Sequence, residues 1–234
     1  MKDSNPVIET STSKYSAQDF DAYFKKERNE MLHRIPKDAS IVLDVGCAVG
    51  SFGQILKSER LVEVWGIEIS EYAASIAAQK LDKVVCGAFD ENLDLPKKSF
   101  DCIVFNDVLQ HLVDPYSALL YSKTLLKDGG MIVASIPNVR YFDNVWKLLV
   151  EKNWEYTQHG ILDRTHLRFF THRSILKTFS DLGYEIKSIE GINPLEKEHP
   201  HLVRKFKFLN SILLNQLEDM RYIQFAVVAH PKSS

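Results

Sequence analysis

The sequence predicts an α/β fold, a doubly wound sheet of seven strands. Two observations carry this. Short runs of β-branched and apolar residues, beginning with Ile41-Val42-Leu43-Asp44-Val45, are apolar on both faces, as strands covered by helices on each side must be. Stretches of helical length with one apolar face separate these runs, giving the strand-helix alternation of an open twisted sheet. A chain of 234 residues with 45% hydrophobic content suits one such domain.

Taken in order, residues 1–16 are rich in Ser, Thr, Lys and Asp and read as a flexible tail. From Ala17 to Arg34 the apolar positions Phe20, Tyr23, Phe24, Met31 and Leu32 recur near helical spacing, and Pro36 ends that helix. After the first strand, strands are expected at Val62–Ile67, Val84–Cys86, Cys102–Phe105 and Met131–Ile136, with helices at Glu71–Leu81 and Pro115–Leu126. The second helix carries Asp114 as N-cap and Pro115 at its first position, where a missing N–H costs nothing. Beyond this the pattern predicts helices at Asn144–Val150, His172–Leu182 and Leu202–Leu217, and strands at Tyr184–Ile189 and Tyr222–Ala229. The N-terminal helix and residues about 140–220 are expected to build a helical cap over a single domain.

Composition excludes several classes. A net charge of −2 argues against non-specific nucleic-acid binding, which needs a basic excess. Three cysteines, Cys47, Cys86 and Cys102, follow no pairing or zinc spacing and suit a reducing cytoplasm. No apolar run approaches the roughly 18–20 residues of a membrane span. His159, His166 and His172 fit no metal-ligand pattern, so no metal is expected.

The strongest chemical signal follows the first strand: Asp44-Val45-Gly46-Cys47-Ala48-Val49-Gly50-Ser51. Small residues in such a turn let backbone approach a ligand and leave helix N–H groups for an anionic part. A dinucleotide fingerprint requires glycine at Gly46, Ala48 and Ser51, and two of these fail. The pattern acidic-x-Gly-x-Gly-x-Gly matches at Asp44, Gly46 and Gly50 and departs only at Ala48.

That pattern resembles motif I of the class I S-adenosylmethionine (SAM)-dependent methyltransferases. Trp65-Gly66-Ile67-Glu68 then resembles the family's second strand, which ends on an acid. Ser99-Phe100-Asp101-Cys102-Ile103-Val104-Phe105-Asn106 is similar to its fourth strand, and Lys127-Asp128-Gly129-Gly130 to the turn before its fifth. The resemblance covers about Tyr23 to Gly191 and implies a Rossmann-like sheet with an antiparallel last strand. It implies SAM as cofactor, held by Asp44, Gly46, Cys47, Gly50 and Asn106, with Glu68 on the ribose hydroxyls and Ile69 on the adenine. Where many relatives place a carboxylate for the adenine amino group this chain has Ala88, so Asp90 or the backbone of Phe89 is expected to replace it. By the same likeness Tyr23 and Arg28 close over the cofactor, and Arg28 pairs with its carboxylate.

More narrowly, Ala134-Ser135-Ile136-Pro137-Asn138-Val139-Arg140 followed by Gly160-Ile161-Leu162-Asp163-Arg164-Thr165-His166-Leu167-Arg168-Phe169-Phe170-Thr171 resembles a bacterial branch associated with glycan gene clusters and related to methionine-biosynthesis W-type proteins. This implies a small-molecule or carbohydrate acceptor methylated at oxygen. The other reading is a non-catalytic SAM-binding subunit serving a partner enzyme.

A hydroxyl acceptor gains from a base near neutrality, and histidine is the natural candidate. His166 is the first choice, oriented by Asp163, and His111 at the mouth of the sheet is the second. Asn138, Arg164 and Arg168 are expected to contact the acceptor, the arginines through a phosphate or carboxylate. Each has a purely structural alternative: a helix-capping or partly buried His111, a salt-bridged loop around His166, and core packing for Cys47 and Cys102.

Overall fold

A computed structural model describes residues 28–232. The strands are β1 Ile41–Val45, β2 Glu63–Glu68, β3 Lys83–Cys86, β4 Phe100–Asn106, β5 Leu126–Pro137, β6 Tyr184–Pro194 and β7 Tyr222–Pro231. They form one sheet in the order β3-β2-β1-β4-β5-β7-β6. Strands β3 through β5 pair in parallel, and β7 runs antiparallel to both β5 and β6. This is the Rossmann-like sheet with a reversed last strand that the sequence implies. Its strand order turns back between β1 and β4, so the carboxyl ends of these two strands flank the crevice where open α/β sheets bind ligands.

Alternate residues of the central strands feed two separate cores. Leu43, Ile103 and Phe105 pack on one face with Leu119, Ile175 and Phe179. Val42, Cys102 and Val104 pack on the other with Phe52, Leu56 and Met31. That two-residue alternation, apolar on both sides, is why these runs read as buried strands. The helices are α1 Asn29–Leu32, α2 Ser51–Glu59, α3 Glu71–Ala77, α4 Pro115–Leu125, α5 Phe142–Trp146, α6 His172–Asp181, α7 Leu195–Glu198 and α8 Val203–Ile212. Asp114 caps α4 as expected, its carboxylate accepting from the N–H groups of Tyr116 and Ser117. Thr171 and Ser174 cap α6 reciprocally.

The expected tail, Tyr23 and most of the N-terminal helix lie outside the described residues. The region expected as one cap divides. Residues 172–194 join the sheet and its apolar layer, whereas Tyr141, Phe142, Leu195, Leu202, Phe206 and Met220 form a third cluster of their own. The expected helix at 144–150 is α5 continued by a π-helical turn, Lys147–Glu151. The expected long helix at 202–217 stops at Ile212, because the buried Asn210 side chain accepts from the Leu217 N–H and donates to Glu218. These side-chain bonds give the backbone an alternative to further helix. Strand β6 runs past its expected end because Gly191 lets it cross the Tyr222 ring, which a Cβ there would meet at 2.1 Å.

Candidate active site

The turn after β1 sits at the crevice. Gly46 is exposed, in left-handed conformation at φ +69°, and a Cβ on it would meet Val108 Cγ2 at 2.6 Å. Only glycine fits there, as the motif requires. Ala48 shares that conformation at φ +50° although it is not glycine. Glu68, at the end of β2, is buried, and its two carboxylate oxygens accept the N–H groups of Ala48 at 2.9 Å and Ser70 at 2.8 Å. A carboxylate offers about four acceptor positions, so this one holds the turn and keeps capacity for a diol. Asp44 lies buried beside it, and burial together with the charge of Glu68 raises its pKa to about 8. A ligand carrying positive charge is favoured beside such a pair.

The other expected cofactor residues divide by direction. Ile69 and Ala88 are exposed at the same edge. Phe89 is buried against the Phe105 ring at 5.7 Å and the Tyr121 ring at 5.2 Å, so only its backbone can meet a ligand. Gly50 is also buried, and its missing Cβ admits Ala77 of α3 at 3.2 Å. The Cys47 side chain fills the core against Gly66, where a Cβ would fall 2.5 Å from its Sγ, and burial raises its thiol pKa. Both therefore act through packing and backbone shape rather than side-chain contact. Both amide atoms of Asn106, at the end of β4, are buried with no hydrogen-bond partner among the described residues. The open cradle at Gly46, the orphaned Asn106 amide and the acceptor-rich Glu68 together fit SAM.

Arg28 reaches this edge and pairs with Asp107, which the sequence reading did not single out. Asp107 also accepts from Gln224 Nε2 at 2.5 Å and from Ser135 Oγ at 3.0 Å, and Asn193 donates to Gln224 Oε1 at 2.9 Å. A carboxylate directly after Asn106 at the strand-order switch is the signal that marks Asp107; Gln224, on the reversed strand, carries no local one.

The segment after α5 folds back on the loop following β4. The carbonyl of Gln110 accepts the N–H groups of Leu167 and Arg168 at 2.8 and 3.0 Å. This brings the His111 and His166 rings to 4.7 Å, edge to face. His166 Nδ1 lies 2.9 Å from the Ile161 carbonyl. A carbonyl only accepts, so Nδ1 carries the proton there and Nε2 is the basic nitrogen. Ile161 thus orients the ring at Nδ1, the role expected of Asp163; Asp163 Oδ1 instead receives the N–H and hydroxyl of Thr165 at 2.8 and 2.7 Å. His111 Nδ1 faces the Thr165 carbonyl and hydroxyl at 3.2 and 3.1 Å. Burial, with the charge of His166, lowers the His111 pKa to about 4, which makes it a poor base and favours its structural reading.

Asn138 is corrected outright. It is fully buried, its Nδ2 donates to the carbonyls of Asp219 at 2.7 Å and Tyr222 at 3.0 Å, and its Oδ1 accepts from the Arg140 N–H at 3.1 Å. Both Nδ2 hydrogens are used, and burial closes the remaining Oδ1 lone pair to an acceptor molecule. Arg164 is exposed, and Arg168 is exposed while donating to the Val113 carbonyl at 2.5 Å. Two surface clefts, one lined by Lys57, Arg60 and Asp82 and one by Glu196, Asn210 and Arg221, lie away from this edge.

A reversed seventh strand on a doubly wound sheet, with a glycine turn and a strand-end acid at the switch point, is the fold of class I SAM-dependent methyltransferases. The methyltransferase domain family matches residues 15–189, and the chain belongs to that family. It is 28% identical over 170 residues to a ubiquinone biosynthesis O-methyltransferase of Pseudomonas paraeruginosa, covering 68% of this chain and 71% of that protein. The fold is shared with a SAM-dependent methyltransferase of Archaeoglobus fulgidus at a TM-score of 0.64 and 20% identity, covering 90% of this chain and 97% of that one. It is also shared, at 0.64 and 16% identity, with a chain in the complex of the Haloferax volcanii Trm112 methyltransferase activator and a methyltransferase, covering 92% and 93%.

Proposed function

We propose that this methyltransferase transfers its methyl group to a hydroxyl oxygen of a small molecule, with His166 as the base. The observation that carries the proposal is the bonding of Leu167 and Arg168 to Gln110 in the loop after β4, with the Ile161 carbonyl at His166 Nδ1; this supports reading Nε2 as the nitrogen that takes the proton. The likeness to ubiquinone biosynthesis O-methyltransferases supports oxygen as the acceptor atom. The narrower resemblance in Asn138–Arg140 and Gly160–Arg168 supports a carbohydrate or glycan precursor among such hydroxyls.

When bound, SAM supplies a methyl group on a positively charged sulfur, already activated for in-line displacement. The chain has three tasks around it. Asp44 and Glu68 favour the cationic cofactor and Glu68 holds its ribose, with Asn106 completing the cradle. The loop carrying His166 aligns the acceptor and excludes water. His166 Nε2 takes the hydroxyl proton as the oxygen gains its new bond, while Arg164 and Arg168 attract an anionic group on the acceptor.

Methyl-labelled SAM offered with phenols, catechols and sugars tests the reading, with the product linkage assigned by NMR. An O-methyl product is expected, and His166→Ala should lower kcat by about 10²–10⁴-fold with SAM affinity retained. An N-methyl product, or a loss under about tenfold, contradicts it.

A second reading is a SAM-binding subunit that serves a partner. The structural likeness to a chain of a complex between a methyltransferase activator and a methyltransferase favours dependence on a partner. Turnover by this chain alone decides against it.

A further inference from the structure

Helix α8 has an inner face fixed by packing. Phe206 is buried against the Phe142 ring at 5.4 Å, and Asn210 is buried beneath the turn that follows. Its outer face is apolar and exposed: Phe208 at 66% and Ile212 at 60% lie one turn apart on one stripe. The turn beyond the helix adds Leu213 and Leu214, the latter 83% exposed. Leu214 and Asn215 are both left-handed, at φ +51° and +63°, conformations that cost a leucine about 1–2 kcal/mol. The Asn210 backbone carbonyl accepts the Asn215 N–H at 2.8 Å, and its side chain accepts the Leu217 N–H at 2.9 Å. The fold therefore holds a leucine outward at a conformational cost.

The helix itself carries charge of one sign. Arg204 and Lys205 lie one turn before Phe208, Lys207 flanks them, and residues 203–217 contain no Asp or Glu, although the whole chain is net −2; the nearby carboxylates belong to neighbouring segments, Glu218 bonded to the buried Asn210 and Glu196 beside Lys207. Lys205 Nζ lies 4.7 Å from the Trp146 ring, which keeps its stem along the neighbouring α5. Exposed bulky apolar side chains beside the exposed Arg204, Lys205 and Lys207 match the two layers of an anionic bilayer surface: acyl boundary for the apolar side chains, phosphates for the cations. We propose that α8 and its terminal turn dock this protein peripherally onto a membrane surface bearing anionic lipid headgroups. No helix among the described residues is long and apolar enough to cross a membrane, so the contact is one of surface insertion.

A second copy of the chain would cover the same apolar residues, but it would set the three cations of one tip against those of the other in a two-fold contact. Charge therefore favours lipid over self-association.

The full chain is sedimented with vesicles of phosphatidylcholine alone and with vesicles containing phosphatidylglycerol. Binding to the anionic vesicles is expected, weakening with added salt. Arg204→Gln with Lys207→Gln removes two exposed charges and should weaken partitioning roughly thirtyfold. Phe208→Ser with Ile212→Ser and Leu214→Ser should abolish it, while both variants keep the wild-type Tm and SAM affinity. The proposal is overturned by absence of vesicle binding, by equal binding to both vesicle types, or by binding that the charge variant leaves intact. A concentration-dependent dimer in analytical ultracentrifugation that the serine variant dissolves would assign the surface to a second copy instead.

Discussion

Ala48 occupies the one position where the glycine turn breaks its pattern, and it does so in left-handed conformation. A Cβ there costs about 1–2 kcal/mol, and glycine in its place loses about 0.4–1 kcal/mol through the unfolded chain. Ala48→Gly should therefore raise stability by about 0.5–1 kcal/mol in urea unfolding; a destabilised variant would mean that the turn is not strained. Asp44 also costs stability, in a way that depends on pH. Its carboxyl titrates near pH 8 in the fold against about 3.9 when unfolded, so between these values the folded state holds a proton that the unfolded state lacks. Stability then falls as pH rises through that window. Asp44→Asn removes the dependence, and the variant's Tm should exceed wild type by a margin that widens from pH 5 to pH 8, with weaker SAM binding. Parallel Tm curves for the two proteins would show that the carboxyl is not held protonated.

The carboxyl end of β5 shows what separates a readable element from an unreadable residue. Strands β1, β2 and β4 were legible because their signal is local: each alternates between two apolar cores within a few residues. The turn at Gly46 was legible for the same reason, since a left-handed glycine leaves a mark in its own position. Asn138 was misread because its partners, the carbonyls of Asp219 and Tyr222, are distant in sequence and belong to backbone, which leaves no side-chain signature. Asp107 was missed because its role depends on Gln224 and Asn193 from the paired strands β7 and β6. The end of α8 was misplaced because apolar periodicity continued while Asn210 redirected the backbone. Asn138→Ala leaves buried backbone groups without partners, and should cost about 2–4 kcal/mol in denaturant unfolding. A change under about 0.5 kcal/mol would leave Asn138 free for the acceptor role first expected of it.

Across the whole molecule, the parts meet at one edge of the sheet. The strand order turns back between β1 and β4, the β1 turn and the β2 acid lie on one side, and the looped-back segment with His166 lies on the other. The third apolar cluster stands beyond this edge and carries the exposed tip of α8. The proposed cofactor site and the proposed membrane-docking surface thus belong to separate cores of one chain. Glu68 ties the glycine turn through the Ala48 N–H, and it is the group proposed to receive the cofactor ribose. Isothermal titration of SAM into wild type and Glu68→Gln tests this most directly: glutamine removes the charge and keeps one acceptor oxygen, giving up one of the two N–H groups that Glu68 receives from Ala48 and Ser70. One saturable site is expected in the wild type, with affinity lower by about 1.5–3 kcal/mol, roughly 10- to 150-fold, in a variant that remains folded at a reduced Tm. Equal affinity in the two folded proteins would contradict the assignment and place the cofactor elsewhere.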